Sequence, residues 1–179
     1  MRADAVRNRE RIVEHAVRLF AERGPDVPMC EIADAAGLGV GTLYRHFPDR
    51  RSLALDIGIG ALRDLADFTR AIRADSAWAE LLAIIGHCAT LPLALAKSLA
   101  ELLPEDETQA ELEHTVDSLL ADVVVRAQRE GTLRADVPVP EVQRLLSTIV
   151  CRPGARPDDY LTLVLLDGLR ARPAGPAST

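Results

Sequence analysis

Glu31-Ile32-Ala33-Asp34-Ala35-Ala36-Gly37-Leu38-Gly39-Val40-Gly41-Thr42-Leu43-Tyr44-Arg45-His46-Phe47 is the stretch on which the reading of this chain turns. Two short helical runs flank Gly37, whose missing Cβ lets the backbone take the positive φ of a tight turn. The first is expected over Met29 to Ala36, with Pro28 at its first turn, where an absent N–H does no harm. The second is expected over Val40 to His46. It carries threonine, tyrosine, arginine and histidine, donors suited to phosphates and base edges, on a helix short enough to enter a major groove. Phe47-Pro48-Asp49 then breaks the chain, and Asp49 is a natural N-cap for the next helix.

Working outward, a helix is expected from about Arg7 to Arg23, with Ile12, Val13, Ala16, Leu19 and Phe20 on one face and Gly24-Pro25 as its stop. On the other side a long helix runs from Arg50 to about Arg73, with Leu53, Ile57, Ala61, Leu65, Phe68 and Ile72 on one side. Further helices are expected over Trp78 to Thr90 and over Pro92 to Leu102. A strongly amphipathic one comes next, with the stripe Leu112, Val116, Leu119, Leu120, Val123, Val124 and Ala127, ended by Gly131. Two more close the chain. One carries Val142, Leu145, Leu146, Ile149 and Val150. The other, about Asp158 to Arg172, is apolar almost all round, so it must cover its own core and something else, most simply a second copy of the chain. The chain shows no internal repeat, strand alternation or hairpin signal, and the fold class is all-α.

Composition agrees. Of 179 residues 48% are hydrophobic but only 3% aromatic, and abundant alanine and leucine favour helix over sheet. No segment approaches the ~20 apolar residues of a membrane span, and no apolar run comes after the N-terminal charges as in a signal peptide. No membrane role is expected, and the cytoplasm is the default location. Cys30, Cys88 and Cys151 are far apart and lack metal-ligand spacing, so they read as buried, reduced thiols. There is no Gly-rich phosphate loop, metal-ligand cluster or nucleophile paired with a base, which argues against an enzyme and against a metal or cofactor. The net charge is −6, unevenly spread: residues 1–51 carry +1 and the remainder −7, so the acidic body would turn the other end toward a polyanion.

The pattern Glu31-Ile32-Ala33-x-x-Ala36-Gly37-Leu38-x-x-Gly41-Thr42-Leu43-Tyr44-Arg45-His46-Phe47-Pro48-x-Arg50, preceded by Leu19-Phe20-Ala21-Glu22-Arg23-Gly24, closely resembles the tetracycline-repressor (TetR) family. Two C-terminal phrases also look like members of it: Ala127-Gln128-x-Glu130-Gly131-x-Leu133-Arg134-x-Asp136-Val137 and Tyr160-Leu161-x-Leu163-x-Leu165-x-Asp167-Gly168-Leu169-Arg170-Ala171. The resemblance implies about nine helices: a helix-turn-helix DNA-binding domain over residues 1–49, an effector-binding and dimerisation domain over 50–172, and a disordered tail over 173–179. It implies a ligand-responsive regulator, a repressor, binding an inverted-repeat operator in double-stranded DNA as a homodimer.

Carried onto this chain, the DNA-facing set is Gly41, Thr42, Tyr44, Arg45, His46 and Arg50. Gly41 would permit close approach. Thr42, Tyr44 and His46 would hold phosphates, which fix register. Arg45 would grip a guanine edge, and Arg50 would meet phosphate at a helix N-terminus. Arg7, Arg9 and Arg11 read either as an arm toward the backbone or minor groove or as an exposed helix face. Leu43, Phe47, Ile32 and Ala36 would plug the small core. For an effector, expected to be apolar or amphipathic, the apolar stripes of the middle helices offer Phe68, Trp78, Leu82, Ile85, His87, Leu95 and Leu120. The dimer interface is expected at Leu145, Ile149, Leu161, Leu165, Leu166 and Leu169. Two departures stand out: the family places serine or threonine where this chain has Pro28 and Gly39, removing two phosphate-binding hydroxyls. They leave room for an alternative, a helical ligand-binding or scaffold protein that has lost DNA binding.

Overall fold

A computed structural model of the protein describes residues 2–24, 26–100 and 106–171. Among these residues the stripes fold into α1 (Arg2–Arg23), α2 (Met29–Ala35), α3 (Val40–His46), α4 (Arg50–Ala71), α5 (Ala77–Cys88), α6 (Leu93–Ala100), α7 (Glu107–Arg129), α8 (Val139–Val150) and α9 (Tyr160–Leu169). α1 starts five residues earlier than the apolar pattern indicates, because its first turns are solvated helix with no core face to signal them. The expected ends of α6 at Leu102 and of α9 at Arg172, and the tail 173–179, lie outside the described residues. The one β-type pairing among them is a single antiparallel bridge between Leu133 and Arg170. None of these helices is long and apolar enough to cross a membrane.

Two apolar cores form, and α4 belongs to both. The first gathers Ile12, Ala16 and Phe20 of α1, Ile32, Ala33 and Ala36 of the α2 region, and Leu43 and Phe47, with Leu53, Ala54 and Ile57 of α4 closing it. The second begins one turn on, at Ala61, Leu65 and Ala66, and continues through α5, α7, α8 and α9. The changeover therefore falls inside α4, beyond the break at Pro48-Asp49. Asp49 starts that helix with a reciprocal box: its carboxylate accepts from Ser52 N at 2.7 Å, while its own N–H donates to Ser52 Oγ at 3.3 Å. Hydrogen bonds from the Ser52 backbone and side chain favour the charged form and hold the Asp49 carboxyl below its usual range.

Side-chain knots fix the rest. Gly37, at φ +64°, makes the turn between α2 and α3, and a Cβ there would stand 2.9 Å from Arg11 Nη2. Gly131, at φ +68°, ends α7, after which Gln128 Nε2 donates to Arg134 O (3.2 Å) and Val137 O (2.8 Å). Glu130 reaches back to accept from Ala77 N at 2.8 Å, adding to the Ser76 cap of α5. Asp159 caps α9 through Thr162 N at 2.9 Å and also holds Arg156 N and Arg152, all of which keep its carboxyl well below the ordinary range.

Glu80 of α5 is nearly buried and paired with Arg126 of α7. That hydrogen bond lowers the Glu80 carboxyl below its ordinary value of 4.5 despite desolvation. Because the folded pKa is depressed, this stabilisation is full above about pH 4.5 and disappears as pH falls through the folded value. Arg126→Ala strands the carboxylate and is expected to cost about 1–3 kcal/mol. Thermal unfolding at neutral pH checks the loss. A series toward pH 3 should show a weaker acid dependence for Glu80→Gln than for the native chain.

Candidate functional site

The α2–turn–α3 unit turns Leu43 inward, and α3 leaves Val40 (44% accessible), Gly41, Tyr44 (48%) and Arg45 on the outside. Thr42 and His46 are half-buried. Gly41 has no positive φ, and an added Cβ would meet nothing within 4 Å, so nothing inside the protomer requires glycine there. The Arg45 guanidinium lies back along its own helix, Nε donating to Gly41 O and Nη2 to Thr42 Oγ1, each at 3.2 Å. Two solvent-exposed hydrogen bonds of this kind are readily exchanged for others. Arg50 is half-buried: it donates to Asp26 O at 3.4 Å, with its guanidinium carbon 6.0 Å from the Phe20 ring centroid. The chain therefore brings Gly41, Thr42, Tyr44, Arg45 and His46 together on one short helix, and sets Arg50 behind them against α1.

Sequence reasoning overlooked Val40. It lies one turn from Tyr44 on the same side of α3, and this i, i+4 relation beside an exposed glycine was the available signal. The arginines weighed as an N-terminal arm take a different form. Arg9 pairs with Asp56 at 2.6 Å and sits 4.6 Å over the Phe47 ring, fastening α1 to α4, while Arg7 pairs with Asp4 at 2.5 Å within α1. Neither Pro28 nor Gly39 supplies a side-chain cap.

The second candidate site is a solvent-open cavity of about 340 Å³ lined by α4 to α8, within the range of small-molecule pockets. Its apolar wall includes Leu62 and Leu65 of α4, Leu81 and Ile84 of α5, and Val116 and Leu146. Lys97, Gln109, Glu113, Asp117, Gln143 and Ser147 form its polar side. Of the seven residues expected to line it, Ile85 and Leu120 do. Phe68 and His87 instead stack on each other with centroids 4.0 Å apart, and His87 Nε2 lies 2.9 Å from Asp64 Oδ1, which pins α5 to α4. Trp78 packs under Arg170, whose guanidinium carbon is 5.7 Å from the indole centroid, beside a separate depression. Leu82 points to solvent, and Leu95 packs against the first core.

All three cysteines are free, and they differ in burial. Cys88 is buried, with desolvation pushing its thiol up to about 12, and Cys151 is half-buried; both line the cavity. Cys30, expected to be buried, is exposed, because α2 turns Met29, Ile32 and Ala33 inward and leaves it on the outer side.

The third surface is α9. Its inner side buries Thr162, Leu166 and Leu169, and Ile149 of α8 is buried with them in the same protomer. Its outer side exposes Tyr160 (88%), Leu161 (51%), Leu163 (48%) and Val164 (70%), with Leu165 and Leu145 half-buried.

Residues 12–57 match the family model described as bacterial regulatory proteins, tetR family, and residues 73–171 match that of the C-terminal domain of SbtR-like transcriptional regulators. A TetR transcription regulatory protein from Mycobacterium vanbaalenii is 32% identical, with a TM-score of 0.69 over 94% of this chain and 98% of its own. A TetR transcriptional regulator from Streptomyces coelicolor is 28% identical, with a TM-score of 0.65 over 92% and 99% of the two chains. An HTH-type transcriptional regulator of Staphylococcus aureus (strain bovine RF122 / ET3-1) is 46% identical over 69 residues, 38% of this chain and 36% of that protein. The matched region spans between 36% and 40% of the length of the curated relatives.

Proposed function

The chain belongs to the TetR family of bacterial transcriptional regulators, regulators and not enzymes, and from that premise we propose that it is a ligand-responsive repressor acting as a homodimer on an inverted-repeat operator. The observation that carries this reading is the outer side of α3: a glycine with no internal reason to be one, set among exposed Val40, Tyr44 and Arg45. Two such helices, related by a twofold axis, enter successive major grooves one helical turn apart. Gly41 lets the backbone come close. Tyr44, Thr42 and His46 hold phosphates and fix register. Arg45 exchanges its in-helix bonds for a guanine edge, and Val40 offers an apolar contact to a thymine methyl. Arg50 supports α3 from behind and supplies positive potential at the start of α4.

The switch uses α4. Leu62, Leu65 and Gly58 line the cavity, while Leu53 and Ile57 of the same helix lie in the core of the reading head. A ligand that fits one setting of α4 better than another shifts the spacing of the two heads, with coupling on the order of 1–3 kcal/mol.

Selection of bound fragments from genomic DNA, followed by fluorescence anisotropy on the recovered site, tests the DNA reading. Affinity should fall with salt at a log–log slope of roughly −5 if about six phosphates are neutralised. Arg45→Ala should cost about 1–3 kcal/mol and relax preference at one base pair per half-site. A flat salt response, with Arg45→Ala silent, would favour the alternative of a helical ligand-binding protein without a DNA partner, for which the missing hydroxyls at positions 28 and 39 leave room.

A further inference from the structure

The polar side of the cavity pairs two amides with two carboxylates. Gln109 Nε2 donates to Glu113 Oε1 at 2.8 Å, and Gln143 Nε2 donates to the backbone carbonyl of Asp117 at 2.6 Å. Each neighbour accepts, which turns one N–H of each amide toward the protein; among the described residues the amide oxygen and the second N–H are left for something else. The Gln109 oxygen lies 4.0 Å from where a Cβ on Gly58 of α4 would stand. Ser147 directs its hydroxyl at Cys151 Sγ, 3.8 Å away.

Two carboxylates stand on this wall. Glu113 and Asp117 are one turn apart on α7 and therefore on the same side of it. Partial desolvation and the neighbouring Glu113 push the exposed Asp117 carboxyl above its ordinary range, with His114 acting in the opposite direction. Lys97 is the cation among the lining residues; it is exposed, as are Glu113 and Asp117, and among the described residues it forms no ion pair with either acid. The walls from α4 and α5 carry no charged side chain, being leucine and isoleucine with Gly58 and Cys88.

We propose that the effector of this cavity is an amphipathic cation, its apolar body seated against Leu62, Leu65, Leu81 and Ile84 and its protonated amine or quaternary ammonium head held by Glu113, Asp117 and the two amide oxygens. The proposal rests on the ligand-responsive reading above and assigns the chemistry of its ligand. A head of this kind neutralises two neighbouring like charges, and an anionic head would have to join them.

Isothermal titration of the full chain with three ten-carbon probes, decyltrimethylammonium, decanol and decanoate below their aggregation limits, tests it. Decyltrimethylammonium should bind about tenfold or more tightly than decanol, and decanoate most weakly. In the Glu113→Gln, Asp117→Asn double variant the preference for the cation should vanish while decanol binding persists. Ser147→Trp, which fills the cavity from α8, should remove binding of every probe. Equal or tighter binding of decanol or decanoate by the native chain would overturn the cation assignment and leave the ligand-responsive reading standing. Cation binding that survives Ser147→Trp overturns it too, since the probe then sits elsewhere. Failure of all three probes to bind counts against both readings.

Discussion

Aspartate at both Leu161 and Val164 is expected to leave the protomer folded and to convert the protein to a monomer with little hold on its operator. The two side chains are 51% and 70% accessible, whereas the residues that anchor α9 to its own core, Thr162, Leu166 and Leu169, are nearly closed to solvent. The substitutions thus touch the outer side alone. In a twofold dimer the same patch meets itself, so each new carboxylate faces its counterpart and the penalty counts twice. Removing apolar burial and adding unpaired charge at this place should weaken dimerisation by about a thousandfold or more, roughly 4 kcal/mol. Sedimentation equilibrium measures it, and operator affinity should fall in parallel because each half-site is then bound separately. A variant that stays dimeric at micromolar concentration moves the interface off α9. A charge at Leu166 would not serve this test, since at 8% exposure it sits in the protomer core and its replacement is expected to destabilise the protomer itself.

Replacing Gly41 with leucine should have effects of opposite sign on stability and on DNA binding. The backbone at 41 is ordinary helix and the space around a Cβ is open. By helix propensity alone the substitution should stabilise α3 by up to ~1 kcal/mol, so melting temperature holds or rises. On the outside, the new side chain stands where DNA must come close, and operator affinity should drop by about one to two orders of magnitude, the 1–3 kcal/mol scale of a lost base contact. Anisotropy and thermal melts on the same preparation read both. If affinity is unchanged, α3 does not approach a groove at this point, and the assignment of the reading face falls with it.

The first fifty residues were legible because each decision there is local. Gly37 has to make the turn, Asp49 has to start α4, and Leu43 and Phe47 are the large apolar residues spaced to fill a three-helix core. The bounds of α3 agree with the sequence pattern residue for residue. Beyond α4, periodicity tells which side of a helix is apolar but not which neighbour that side meets. Phe68, Trp78 and Leu95 all lie on apolar stripes, yet one stacks on His87, one packs beneath Arg170 and one turns to the first core. The cavity arises where α4 to α8 leave a gap, a property of their crossing that no single stripe encodes. On α9 the all-round apolar pattern signalled apolar residues on both sides of the helix, though not that Leu166 and Leu169 are spent on the inner one. Arg50 was expected at phosphate from its position at a helix start, while its carbonyl partner at Asp26, 24 residues away, had no trace in local sequence.

Because α4 is common to both cores, the sensible seam for building hybrid regulators lies within it. Exchanging residues 1–49 for another family member's head would cut through a packed unit, leaving Leu53, Ala54 and Ile57 to meet a foreign surface. A splice between Ile57 and Ala61 carries the buried part of that unit together, with Leu95 of α6 left to pack against it from the sensor side, and it coincides with the C-terminal limit of the tetR-family match at residue 57. Heads and sensors joined there should be interchangeable parts, provided that Leu95 keeps an apolar partner and that position 58 stays no larger than alanine, whose Cβ would already reach Ala96 at 3.9 Å and the Gln109 oxygen at 4.0 Å.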